Sequence, residues 1–77
     1  MTQNDINLLK SRVDRTVRFH CKDGETIVGT VHFVSEKEQD VIYDLISSDR
    51  SERYESFADS AHQLTFDEID HVSIPDA

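Results

Sequence analysis

The side chains best suited to chemistry in this sequence are one cysteine, four histidines and two acidic runs, and their spacing decides what they can do. Cys21 lies within Val17-Arg18-Phe19-His20-Cys21-Lys22, where apolar and polar residues alternate. It falls on the apolar side, where a free cysteine behaves as a small hydrophobe rather than a nucleophile. His20 and His32 are read as solvent-facing neighbours across one hairpin. Two histidines alone fall short of the four ligands that a structural metal site requires. His62 and His71 have no helical or strand spacing to an acid that would make a catalytic pair. Glu36-Lys37-Glu38-Gln39-Asp40 lacks the alternating oxygen ligands and the glycine of a calcium loop, and reads as a solvated turn. Asp67, Glu68 and Asp70 read as surface acids around Ile69. With no phosphate-cradling glycine loop, activated nucleophile or acid/base pair, the sequence points away from an enzyme and implies no cofactor.

The elements that carry these residues follow from the periodicity. Ile6, Leu9 and Val13 recur at helical spacing and predict a helix over about 5–14, with Thr2 or Asn4 as its cap. Asp5 suits the positive end of its dipole, and Lys10, Arg12 and Arg15 the negative end. From Thr16 the period becomes two. A strand over about 16–22 places Val17, Phe19 and Cys21 on one face and Arg18, His20 and Lys22 on the other. Asp23-Gly24 then predicts a tight hairpin, read as a type I′ turn. The return strand, about 25–34, alternates Ile27, Gly29, Val31 and Phe33 with Val28, Thr30, His32 and Val34. Gly29 inside it marks a bend or a close backbone approach. Further strands are expected at about 40–46, at 53–58 and 64–66 with a bulge or turn between, and at 69–74 before Pro75 stops the ladder. One helix and five short strands in so short a chain predict an all-β, strongly bent SH3-like barrel forming a single domain over 1–77.

Composition limits what such a barrel can be. With 77 residues and a single cysteine, the chain has neither an internal disulfide nor a structural metal to support a small core, which favours oligomerisation. No apolar run approaches the roughly 20 residues of a membrane span, and the N-terminus lacks signal-peptide character, so a cytoplasmic protein with no membrane partner is expected. The formal charge of −8 is unevenly spread. Residues 1–22 carry five basic side chains against two acidic ones, whereas the remainder carries three against fourteen. Two electrostatically different faces follow if the N-terminal segment lies on one side.

The order helix then five strands, together with Asp23, Gly24, Gly29 and Val31, resembles the Sm-like (LSm) family. By element order the resemblance spans nearly the whole chain; by individual residues it covers much less. It implies closed homo-oligomeric rings built by pairing exposed edge strands, with Tyr54, Phe57, Val72 and Ile74 as interface candidates. It also implies RNA binding, but Ser35 and Gln39 stand where the family has an Asp and an Asn that hold a base. Leu64-Thr65-Phe66 stands where the family has an apolar residue followed by Arg and Gly. The usual uridine pocket is therefore replaced. Lys10, Arg12, Arg15 and Gln39 remain as candidate nucleic-acid contacts. The sequence thus leaves three readings open: a ring that binds RNA in a non-standard way, an acidic scaffold for protein partners, and a monomeric SH3-like interaction module.

Overall fold

A computed structural model describes residues 1–49 and 61–75. The helix α1 spans Gln3–Ser11, and the strands are β1 Thr16–Cys21, β2 Thr26–Ser35, β3 Asp40–Ser48, β4 Ala61–Thr65 and β5 Ile69–Ser73, with a 3₁₀ turn Phe66–Glu68 before β5. They form one antiparallel sheet in the order β4-β3-β2-β1-β5. The sheet curls around a core of Leu9, Val17, Phe19, Ile27, Val31, Val41, Tyr43, Leu64, Ile69 and Val72.

Helix α1 begins earlier and ends earlier than the periodicity suggested. Thr2 is the cap: its hydroxyl accepts from the Asp5 amide, while the Asp5 carboxylate accepts from the Thr2 amide, a reciprocal capping box. Helical geometry stops after Ser11, and Asp14 takes φ 69° as the chain turns into β1. Val13 therefore leaves the apolar stripe and is exposed, and Leu9 is the one fully buried residue of the helix.

The first hairpin corrects the expected turn type. Neither Lys22 nor Asp23 has positive φ; Gly24 alone does, at 93°. The Gly24 amide donates to Cys21 O at 3.0 Å and the Cys21 amide to Glu25 O at 2.8 Å. This is a three-residue connection, a type I turn followed by a glycine bulge, rather than a type I′ turn. The Asp23 carboxylate accepts from the Glu25 amide at 3.0 Å and stiffens the turn.

Two irregularities bend β2 against β3. The register shifts between Val28 and Gly29, where the backbones crowd: a Cβ on Gly29 would lie 2.6 Å from Tyr43 Cδ2 and 2.8 Å from Asp44 O. It shifts again between Val31 and Phe33, so His32 is the extra residue of a bulge. The bulge takes Phe33 off the face it was expected to share with Ile27 and Val31, and its ring is exposed.

The later strands also differ from the alternation. Residues 61–63 belong to β4, and Phe66 opens the 3₁₀ turn instead of closing the strand. Phe66 leaves the ladder because its amide donates to Gln39 O at 2.8 Å. Strand β5 ends at Ser73, one residue before Ile74. The strand expected at 53–58 lies outside the described residues.

Candidate functional site

The β2–β3 turn and the β4–β5 turn meet at the end of the sheet. Asp40 pairs with Thr65, Gln63 Nε2 donates to the Asp40 carboxylate, and Gln39, at φ 57°, receives the Phe66 amide. The fold thus gathers the positions where an Sm-like protein would hold a base. Their chemistry is committed elsewhere. The Ser35 hydroxyl accepts from the Glu38 amide at 3.1 Å, the Thr65 hydroxyl donates to Glu68 at 3.0 Å, and Phe66 is buried. Glu36, Glu38, Asp67 and Glu68 surround the junction, so it opposes a phosphate. Lys10 reaches this turn only to pair with Glu36 at 2.9 Å.

Arg12 and Arg15 lie elsewhere, on the α1–β1 connection. That connection is tied to β2 through Asp14 N to Val31 O at 2.7 Å and Val31 N to Arg15 O at 3.0 Å. Arg12 Nη2 donates to Thr16 O at 2.9 Å, and its buried Nε has no hydrogen-bond partner. Both arginines border a groove of about 570 Å³ floored by Val28, Ile46, Ile74 and Pro75. The four residues expected to touch nucleic acid therefore separate into two places: Lys10 and Gln39 at the acidic junction, Arg12 and Arg15 at the groove.

The outer face of β1 carries a cluster that strand alternation suggested only in part. His20 does not neighbour His32. The β1–β2 register runs from Thr16↔Thr30 to His20↔Thr26, leaving His32 beyond β1, where its Nε2 pairs with Asp44 at 2.6 Å. His20 instead lies opposite His71 of β5, their rings stacked 4.1 Å apart and 8° from parallel. His20 Nε2 bonds the Ser73 hydroxyl at 2.9 Å, and His71 Nδ1 bonds Asp70 at 2.8 Å. Partial burial, then the neighbouring His71 and Arg18, push the His20 pKa below its ordinary value, with Asp70 opposing them. The hydrogen bond from His71, above all, lowers the Asp70 pKa. Without the β1–β5 register, nothing in the sequence distinguishes His71 from any other exposed histidine.

The remaining candidates divide in the same way. Val72, named as an interface candidate, lies on the edge strand β5 with its side chain packed inward in the core cluster with Phe19 and Ile69. Ile74 is 42% exposed and lines the arginine groove. Tyr54 and Phe57 lie outside the described residues. Cys21 is half-buried against the core. Among the described residues no group of three His, Cys, Asp or Glu is placed to hold a metal ion, and no helix is long and apolar enough to cross a membrane.

No family model matches the sequence, and no curated protein matches it. Among solved structures, the chain is similar to the crystal structure of an SmAP (LSm) protein from Methanococcus vannielii, with a TM-score of 0.69 and 16% sequence identity. The match covers 95% of this chain and 97% of that one. A capped helix, five antiparallel strands in the order β4-β3-β2-β1-β5, and this end-to-end match make the chain a small β-barrel of the Sm-like fold.

Proposed function

We propose that the chain works without catalysis, as a cytoplasmic homo-oligomer that closes into a ring and associates with RNA by a route other than the usual uridine pocket. The observation that supports assembly is the sheet order. Among the described residues β4 and β5 each pair on one side only, β4 with β3 and β5 with β1. Two sheet edges on one short chain, of which β5 is occupied at the Val72 amide by Asp5, invite edge-to-edge pairing, and a head-to-tail contact that closes by rotation yields a ring. The lack of a disulfide adds a stability reason for association. Sedimentation velocity at micromolar concentration tests it. A single species several times the mass of 8.9 kDa is expected, and a stable monomer would sink the ring reading.

A second reading, an acidic scaffold for protein partners, is favoured by the junction of the β2–β3 and β4–β5 turns. Its Ser35 and Thr65 hydroxyls are internally bonded, and Lys10, which reaches it from the helix, is paired with Glu36. Titration of labelled single-stranded RNA at low salt separates the two. Saturable binding supports the RNA reading, and none supports the scaffold.

A further inference from the structure

Two concavities border β1, one at its start and one at its end. One is the groove of about 570 Å³ bordered by Arg12, Arg15 and Thr16. The other, about 340 Å³, is lined by His20, Lys22, Thr26, Asp70 and His71 among others. Arg18 bridges them: it sits opposite Val28 of the groove on one side and Ser73, the partner of His20, on the other. Among the described residues its guanidinium makes a long contact, 3.5 Å, to Pro75 O.

We propose that the outer face of β1 is a track for single-stranded nucleic acid, with Arg18, His20, Lys22 and His71 on the phosphates and the Arg12–Arg15 groove holding a base. The proposal rests on the RNA reading above and assigns it a surface. Alternate residues of a strand recur about every 6.6 Å, so Arg18 and His20 stand one such step apart on β1, comparable with successive phosphates of an extended single strand, and Lys22, the first residue of the turn that follows, lines the same concavity as His20. A basic line beside platforms for bases is how sequence-tolerant single-strand binding is built. Val28, Ile46 and Ile74 supply an apolar floor. The bond from Arg12 to Thr16 O holds a guanidinium at its rim, a group that both pairs with phosphate and stacks on rings. Charge placement points the same way. Five of the eight basic side chains fall within residues 1–22, four of them on β1 or beside its two ends, while the rest of the chain is strongly acidic. A polyanion is repelled at long range and held only where local potential is positive, within a screening length of about 8 Å.

His20, stacked on His71, makes the track sensitive to pH. His20 faces Arg18 on its own strand, Lys22 of the following turn, and His71, Asp70 and Ser73 on β5. On β2 it faces Thr26, whose amide bonds the Asp49 carboxylate at 3.1 Å, and the buried Glu25 lies in the same concavity. Partial burial, then His71 and Arg18, hold the His20 pKa below its ordinary value, and a phosphate beside the ring opposes that.

The test is fluorescence anisotropy with labelled single-stranded oligouridylate and oligoadenylate, on the intact chain, across a salt series. Arg18→Gln/Lys22→Gln is expected to weaken binding by about tenfold at low salt and to flatten the slope of log K against log salt by about 1.4, the loss of two single-strand phosphate contacts. Lys37→Gln, on the β2–β3 turn, is expected to change neither. Wild-type binding is expected to tighten between pH 7.5 and pH 6, and His20→Gln/His71→Gln to abolish that gain. Circular dichroism and sedimentation confirm that each variant keeps its fold and mass. If wild type binds RNA and the Arg18/Lys22 variant binds equally well, the track is overturned and the RNA reading stands. If wild type binds no RNA at low salt, both fail. Competition by polyglutamate as effective as RNA of equal charge overturns the assignment to nucleic acid.

Discussion

Asp5 joins the first helix to the last strand: one carboxylate oxygen closes the capping box with Thr2, and the other accepts the Val72 amide at 3.2 Å. That amide is consequently spent on the helix and not on the β1 ladder. A sheet edge is commonly protected in this way, by another element taking an outward donor. Any strand that pairs with β5 through Val72 must displace Asp5.

Asp5→Ala is expected to lower stability by about 1–2 kcal/mol, the range for losing a helix cap, with an additional loss from the freed Val72 amide. Urea denaturation measures it, and Asp5→Asn, which keeps an acceptor oxygen, is expected to retain much of the difference. Acid has a related effect. Burial raises the Asp5 pKa, but the hydrogen bonds from Thr2 and Val72 outweigh it and leave the carboxyl below its ordinary 3.8. Its contribution is therefore complete above that value and lost as pH falls through the depressed one. The Asp5→Ala chain should lose less stability than wild type over that interval.

His20 gives a pH dependence nearer neutrality. Its folded pKa lies below the ordinary 6.5, so the folded state favours the neutral ring. In the absence of ligand, stability is full above 6.5 and falls as pH drops through the depressed value. Thermal unfolding at pH 7.5 and pH 5.5 should show a decrease in Tm that is smaller in His20→Gln. An equal decrease in both would assign the effect to other groups.

Gly29→Ala places a Cβ against the Tyr43 ring and the Asp44 carbonyl, neither of which can retreat without disturbing the core or the ladder. A loss of about 1–3 kcal/mol is expected, typical of overpacking. Gly24→Ala acts through backbone geometry instead: φ 93° is strained for any residue with a Cβ, at about 1–2 kcal/mol. Denaturation midpoints of the two variants measure both.

Phe19→Ala removes a fully buried ring whose centroid lies 5.1 Å from that of Tyr43. Such truncations cost about 3–5 kcal/mol. Since natural domains hold about 0.05–0.15 kcal/mol per residue, this chain has little reserve, and the variant is expected to be largely unfolded at 37 °C by circular dichroism.

Much of the barrel is legible in local pattern, because a strand with one buried face must alternate and a helix on a core must carry a stripe. Val17 and Phe19, then Ile27 and Val31, declare two strands and their inward faces, and Asp23-Gly24 declares the turn between them. Gly29 announces a close approach, although not that Tyr43 would be the neighbour. The N-terminal excess of basic residues, visible by counting, is spread in the structure, with Arg18 on β1, Arg12, Arg15 and Lys22 beside its two ends, and Lys10 drawn off to Glu36. What could not be read depends on which strands meet. Bulges arise from competing registers, so His32 and Phe33 depart from an alternation that the residues alone support. The site positions behave likewise: Gln39 meets Phe66, Asp5 meets Val72 and His20 meets His71 only because the sheet curls β5 back onto β1 and packs the helix beside it. These pairs are separated by tens of residues, and no local propensity encodes them. Sequence therefore determined the elements, their buried faces and the segregation of charge, while tertiary structure decided the partners, because partnership is set by register and closure of the whole sheet.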